Sequence, residues 1–427
     1  MTETAQRGTR APATSRTTTL VGTGLGHALE WYDWGIYAIF VPFFATQFFD
    51  RGNQFSAVLS SLAVFAVGFV ARPLGGLLFG WFADRAGRRT AMTVTVATIA
   101  GASFVIGIAP TYAAVGAWAS LILLLARVVQ GLACGGELPS AQTYLSEMAP
   151  AAQRGRWSSL IYIASVFGNT VGVVLGLVLT VVLTPEQMQS FGWRIPFLLG
   201  GVFGLVAVYM RRNLTESETF TASRRREKVR LWPAILEHRR QALQVIGLSI
   251  GFTVVYYSWV IAAPAYAISS LHIGSTAALW AGVGSAVILM VTMPFWGMLS
   301  DRIGRKPVLL ISTLGCAALL FPVQFIVRTS AWQLFLGMSL AAVFISAGVS
   351  ILPAVYAEMF PTAIRALGLA VPYSIAVAAF GGTAPYLQAW VGAEFGRSAF
   401  TGYLVLLMLV SSAAIATLPE TRAKELS

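Results

Sequence analysis

The chain has 427 residues, 56% of them hydrophobic and 11% charged, whereas an ordinary soluble domain carries about 25% charged residues. Low charge, a mean hydropathy of +0.72 and two cysteines exclude a disordered chain and a disulfide-stapled secreted domain, which leaves an integral membrane protein. The net charge of +12 would suggest nucleic acid in a soluble protein; in a membrane protein its meaning depends on which loops hold it.

A helix crossing the hydrocarbon core needs about 20 mostly apolar residues. On that measure a polar, Arg/Thr-rich tail at 1–19 precedes spans at 20–46, 56–82, 91–109, 114–137, 157–183 and 193–210. A hydrophilic linker at 211–240 follows. The second set runs through 243–270, 276–299, 307–327, 331–355, 366–391 and 399–418, leaving a short tail at 419–427. Runs such as VGVVLGLVLTVVL at 171–183 are helical and lack the alternation of a membrane β-barrel. The tail at 1–19 has no apolar h-region, so the first span is expected to be retained and not cleaved as a signal.

The basic residues set the orientation. Of the 29 Lys and Arg, 23 fall on one side, in the N-terminal tail, the 211–240 linker, the C-terminal tail and the loops around Arg85, Arg154, Arg302 and Arg365. Four fall on the other, Arg51, Arg194, Arg328 and Arg397, and two, Arg72 and Arg127, lie inside spans. The positive-inside rule then predicts both termini in the cytoplasm of a multi-pass plasma-membrane protein. The surplus charge is an orientation signal and requires no nucleic-acid partner.

Two motifs recur. GWFADRAGRR at 80–89 returns as GMLSDRIGRK at 297–306, matching Gly80, Asp84, Arg85, Gly87 and Arg88 to Gly297, Asp301, Arg302, Gly304 and Arg305. EMAPAAQR at 147–154 returns as EMFPTAIR at 358–365, matching Glu147, Pro150 and Arg154 to Glu358, Pro361 and Arg365. The same order at half-chain offsets predicts two parallel six-helix repeats, an N-terminal half at 20–210 and a C-terminal half at 241–418, with a site near the midplane between them. The repeated acid and arginines suit a cytoplasmic network that holds neighbouring helices in one state and releases them in another; plain topology-setting charge is the alternative for any single Arg.

The motifs resemble the major facilitator superfamily, and within it the metabolite:proton symporter family. The strings that carry the resemblance are EWYDWGIY at 30–37, ARPLGGLLFG at 71–80, DRAGRR at 84–89, RVVQGLACGGE at 127–137, YLSEMAP at 144–150, WRIPF at 193–197 and AEMFPTAIRALG at 357–368. The resemblance implies the all-α, twelve-helix fold of that superfamily. It also implies transport of α-ketoglutarate, citrate, shikimate or a related acid, or of proline and betaine. AEMFPTAIRALG and AVAAFGG at 376–382 are most similar to the α-ketoglutarate permeases, while YYSWVIAAP at 256–264 departs from their pattern.

Ionisable groups at membrane depth cost about 2.5–3.5 kcal/mol each on insertion scales and mark a pathway or a pairing. His27, Glu30 and Asp33 follow one another at i+3 with Tyr37 a turn beyond; steps of three drift about 60° around a helix and share one broad face. For these the reading is proton coupling, with a fixed ion pair, a loop cap or plain packing as alternatives. Arg72 and Arg127 offer the planar fork that matches a carboxylate, although either can instead serve the cytoplasmic network or tight packing. Gln130 and Cys134 share the face of Arg127, and Glu137 lies further along. Tyr37, Tyr162, Asn169, Tyr256, Tyr257, Trp259, Tyr373 and Gln388 could complete a substrate cavity or simply pack. Cys134 and Cys316 read as apolar packing residues. Gly172 and Gly176 form a GxxxG pair suited to close helix approach, and Pro264, Pro294, Pro353, Pro372 and Pro385 are candidate bends.

The expected function is proton-coupled symport of a small organic acid by alternating access, with a zwitterionic osmoprotectant or shikimate as alternative cargo. Three scattered His and two distant Cys give no catalytic or metal constellation, and there is no phosphate loop, so an enzyme or ATP-driven pump is not expected. The expected partners are the substrate, protons and the lipid bilayer, with no cofactor and no metal, and the chain is expected to act as a monomer.

Overall fold

The computed structural model describes residues 16–49, 52–86, 88–135, 146, 149–212, 237–361, 364–422 and 424. Each of the twelve expected spans falls on a helix or a broken helix. In chain order these are α1 (Arg16–Phe48), α2 (Gln54–Ala86), α3 (Arg88–Ile108), α4 (Ala117–Cys134), α5 (Arg154–Val182) and α6 (Arg194–Arg212). They continue with α7 (Arg239–Tyr256, resumed at Ala263–Ser270), α8 (Ser275–Ile303), α9 (Arg305–Ile326), α10 (Ala331–Val349, resumed at Leu352–Met359), α11 (Arg365–Ala376, resumed at Ala384–Glu394) and α12 (Arg397–Ala416). Among the described residues, eight helices are long and apolar enough to cross a membrane on their own, and a further pair, Pro185–Gly192 with Arg194–Tyr209, qualifies together across a 41° bend. Below, the N-terminal half means α1–α6 and the C-terminal half α7–α12.

Three of the five proline positions sit where a helix restarts. Pro264, Pro353 and Pro385 each occupy the first turn of the resumed segment of α7, α10 and α11, where a missing N–H costs nothing. Pro294 and Pro372 are carried inside helices. In α7 and α11 the break is a π-helical turn, Tyr257–Ile261 and Val377–Gly381, a feature frequent at functional sites.

Glycines let the helices meet backbone to backbone. A Cβ at Gly168 on α5 would collide with the Ala28 carbonyl of α1, and one at Gly131 on α4 with the Gly68 carbonyl of α2. The predicted GxxxG pair does something different: Gly172 faces the Ile36 side chain and Gly176 the Phe40 ring and Leu279, so it receives side chains. In the N-terminal half an aromatic column of Tyr37, Phe44, Phe48, Trp193 and Phe197 fills the space between α1 and α6, with centroid spacings in the range favoured by edge-to-face rings.

Candidate functional site

The end of the bundle that carries the repeated motifs is closed by a charge network spanning the two halves. Asp301, at the end of α8, accepts the Arg305 guanidinium at 2.7 Å and the backbone N–H groups of Gly155 and Arg156 at 2.9 and 3.0 Å. Those N–H groups belong to the first turn of α5, where helices leave donors unpaired and the dipole favours an anion. Glu358, buried at the end of α10, accepts from Arg154 at 2.9 Å and from Arg305 at 3.2 Å. Ser158 on α5 also donates to the Ser350 carbonyl at 2.6 Å.

The sequence reading missed the segment after α12 as part of this network. Thr421 donates to Glu358, and the Lys424 carbonyl accepts from Arg154 at 2.9 Å. Glu420 accepts the N–H groups of Arg305 and Lys306 at the start of α9, at 2.8 and 3.1 Å. It packs against Gly304, whose φ of +108° favours glycine. Burial raises the Glu420 carboxyl, but backbone N–H bonds from Arg305, Lys306, Arg422 and Thr421 outweigh it and hold the group below its ordinary value. The only hint in the sequence is an acid four residues past the end of α12. Arg365 turns to the backbone carbonyls of Ala357 and Phe360, and Arg302 is exposed. Glu147, Gly87 and Glu137 lie outside the described residues, as does most of the linker. Gly80, Asp84, Arg85 and Arg88 lie on α2 and α3.

At mid-depth the expected shared face of α1 divides. Asp33 turns into the N-terminal half, accepting bonds from Ser103 of α3 and from Gln130 of α4 at 2.6 Å, with Gly200 of α6 behind it. Gln130 in turn accepts from Arg127 at 2.7 Å, so Asp33 meets Arg127 through an amide and not directly. Glu30 interacts electrostatically with Asp33 and Cys134 but also reaches the seam. Its electrostatic neighbours include Tyr257 and Tyr373 of the C-terminal half, and its Oε2 lies 3.8 Å from Nδ1 of His27. Both of those atoms are buried with no hydrogen-bond partner among the described residues.

The two interior arginines share one indole. Arg72 lies 4.0 Å and Arg127 4.1 Å from the Trp34 ring centroid, with Phe69 and Tyr37 as their other aromatic neighbours at 4.2 and 4.3 Å. Cation–π contact of this kind offsets part of the cost of taking a guanidinium out of water. Nε of Arg72, and Nε and Nη2 of Arg127, have no hydrogen-bond acceptor among the described residues. Trp34 itself donates to the Cys134 sulfur at 2.9 Å, and the Tyr37 hydroxyl donates to the Ser61 carbonyl at 3.0 Å.

Facing α1 across the seam are Tyr256 and Tyr257, whose rings lie 5.8 and 6.2 Å from Trp31. Tyr162 on α5 packs on Tyr256 at 6.2 Å and its hydroxyl is hydrogen-bonded to that of Tyr373 on α11. The Tyr256 hydroxyl has no partner among the described residues, and neither does Oδ1 of Asn169, which is pressed against Gly35. Trp259 and Gln388 are not in this group; with Tyr266, Gln324, Arg397 and Thr401 they line a separate cleft inside the C-terminal half. Sequence reasoning missed Trp31, Ser103 and Ser165, because one serine or tryptophan in an apolar helix carries no periodic signal.

Long apolar helices, acids and arginines buried at mid-depth and a charge latch closing one end define a multi-pass membrane transporter. Residues 19–231 match the family model described as "Sugar (and other) transporter", and residues 248–426 match "Major Facilitator Superfamily". The α-ketoglutarate permease of Escherichia coli is 32% identical over 396 residues, covering 92% of this chain and 91% of that protein. A putative proline/betaine transporter of Staphylococcus aureus is also 32% identical, over 92% of this chain and 85% of the relative, and the proline/betaine transporter of Salmonella typhimurium is 30% identical over 87% and 77%. The solved proton:xylose symporter XylE superposes with a TM-score of 0.74 at 19% identity, covering 96% of this chain and 97% of that one. The chain belongs to the major facilitator superfamily, and its family and relatives are transporters, not enzymes.

Proposed function

We propose that the protein is a proton-coupled symporter of a small organic acid of the α-ketoglutarate type, working by alternating access between its two six-helix halves, 20–210 and 241–418, with the latched end and both termini in the cytoplasm. The observation that carries this reading is the state of the buried acids. Among the described residues neither Glu30 nor Asp33 makes a contact ion pair with an arginine: Asp33 reaches Arg127 only through Gln130, and Glu30 has an orphaned oxygen. A buried charge without a close partner is costly, and a proton removes that cost.

The charge balance then limits the cargo. Among the described residues Arg72 and Arg127 face Glu30 and Asp33, with Glu137, outside them, a candidate further acid, so the interior has no fixed cationic surplus until an acid is protonated. A proton on either acid leaves an arginine in excess, and the orphaned guanidinium nitrogens supply the donors a substrate carboxylate needs. Binding of an anion then follows loading of a proton, which is symport, and the membrane potential contributes about 2.3 kcal/mol per charge per 100 mV.

One observation favours a second reading. Trp31, Tyr256, Tyr257 and Tyr162 form a contiguous aromatic wall beside Glu30, the surroundings that suit a quaternary ammonium group. A betaine-type zwitterion would use that wall and an arginine together, in keeping with the proline/betaine relatives. Uptake of labelled α-ketoglutarate, shikimate and glycine betaine into proteoliposomes separates the readings. Gradient-driven accumulation of α-ketoglutarate supports the first, accumulation of betaine alone the second, and uptake of any of them indifferent to pH and protonophore contradicts both.

A further inference from the structure

Trp31 occupies a position that nothing above explains. Its indole N–H points at Nε2 of His27 at 3.1 Å, within the same helix, while its ring lies against Tyr256 and Tyr257 of the opposite half. An indole nitrogen is a donor only, so Nε2 must be the acceptor, and the imidazole proton sits on Nδ1. That places the N–H on the side of the ring facing Glu30, 3.8 Å from its orphaned Oε2.

A second arrangement is already built in. Ser165 of α5 has its hydroxyl oxygen 2.7 Å from the same Nε2, so in the Nδ1–H tautomer it donates there alongside Trp31, and its proton can turn instead to the Ile161 carbonyl at 3.0 Å. If His27 takes a second proton, it lands on Nε2, which becomes a donor to Ser165; Ser165 donates to Ile161, and the Trp31 N–H loses its acceptor. No bond other than hydrogen bonds changes.

We propose that Trp31 is a positioning residue: it fixes the tautomer of the neutral His27 ring so that the Nδ1 proton is directed at Glu30, and a second proton on Nε2, accepted by Ser165, takes the acceptor away from Trp31 and releases the indole that abuts Tyr256 and Tyr257 across the seam. This rests on the proton-coupled reading above and adds to it a mechanical link between the proton and the contact between halves. The titratable and charged groups surrounding the pair are Glu30 on α1, Tyr162 on α5, Tyr256 and Tyr257 on α7, Tyr373 on α11 and Arg72 on α2. Of these only Glu30 offers His27 a carboxylate, so the Nδ1 proton has one acidic direction to point.

The test needs no substrate. The chain has three histidines, so the His238→Gln/His272→Gln protein, labelled with 15N-histidine and held in lipid nanodiscs, reports on His27 alone. At high pH the imidazole shifts are expected to show the Nδ1–H tautomer. Trp31→Phe keeps a ring against the tyrosines but removes the N–H, and is expected to let the neutral ring place its proton on Nε2, toward Ser165, so that the Nε2–H tautomer appears. Ser165→Ala leaves the Trp31 donor in place and is expected to keep the Nδ1–H tautomer. An Nε2–H tautomer in the unsubstituted ring, or an Nδ1–H tautomer that persists unchanged in Trp31→Phe, overturns the proposal. Gradient-driven accumulation that survives Glu30→Gln and Asp33→Asn would defeat the proton-coupled reading and leave these spectra unchanged, so the two failures are distinct.

Discussion

Arg154, at the first turn of α5, and Glu358, at the end of α10, meet at 2.9 Å although 204 residues separate them, and both are buried. Each belongs to one copy of the repeated EMxPxxxR motif, so the repeat places the arginine of one half against the acid of the other. Arg305 joins from α9 and makes Glu358 the point on which both halves converge.

Breaking a buried pair by removing one partner costs about 3–5 kcal/mol, because the other charge is stranded. Among the described residues, Glu358→Gln leaves Arg154 with backbone carbonyls only and takes from Arg305 one of its two carboxylates, Asp301 remaining, and is expected to shift the protein toward opening at this end. In a background with Cys134 and Cys316 replaced by Ser, a cysteine at Ser350, fully buried in this state, should react faster with an impermeant thiol reagent when Glu358→Gln is present. An unchanged rate would remove the pair from the gate.

Closure also depends on backbone approach. A Cβ at Gly297 on α8 would lie 2.7 Å from the Gly155 carbonyl and 2.9 Å from the Arg156 Cα, both backbone atoms of α5 that cannot rotate away. Gly297→Val is therefore expected to hold the same end open whatever the charges do. The Ser350 cysteine reports it by fast labelling that a further Glu358→Gln substitution does not increase.

Glu420 gives a pH dependence at the same place. Its folded-state value is depressed, so the carboxylate stabilises the docked tail above the ordinary carboxylate range, and that contribution is lost as pH falls through the depressed value. Release of residues 418–424, followed by limited proteolysis or by a spin label at Arg422, is expected on acidification. Glu420→Gln should show that release at neutral pH with little further change on acidification.

Much of this architecture was legible in the sequence, for identifiable reasons. The length of a bilayer crossing fixed the spans, and the two repeated motifs pointed to the charge network at one end. The motifs placed Asp301 in that network but did not show that it would cap α5 of the other half, because a linear repeat does not say which copy its residues contact. The face of α1 was misjudged for a geometric reason. Asp33 is turned about 60° from Glu30 and about 120° from His27, and it goes to Ser103 and Gln130 while His27 and Glu30 stay together at the seam. The π-helical turns in α7 and α11 had no marker beyond Pro264 and Pro385 downstream, and the role of the 418–424 segment depends on contacts more than 50 residues away.

The central claim is that Glu30 and Asp33 take up the proton that drives substrate accumulation. Proteoliposomes carrying the unsubstituted protein, Glu30→Gln and Asp33→Asn, assayed with labelled α-ketoglutarate and glycine betaine, test it most directly. The expected result is loss of accumulation under an imposed proton gradient in both variants, with substrate exchange across the membrane retained. Full gradient-driven accumulation in both variants would contradict it.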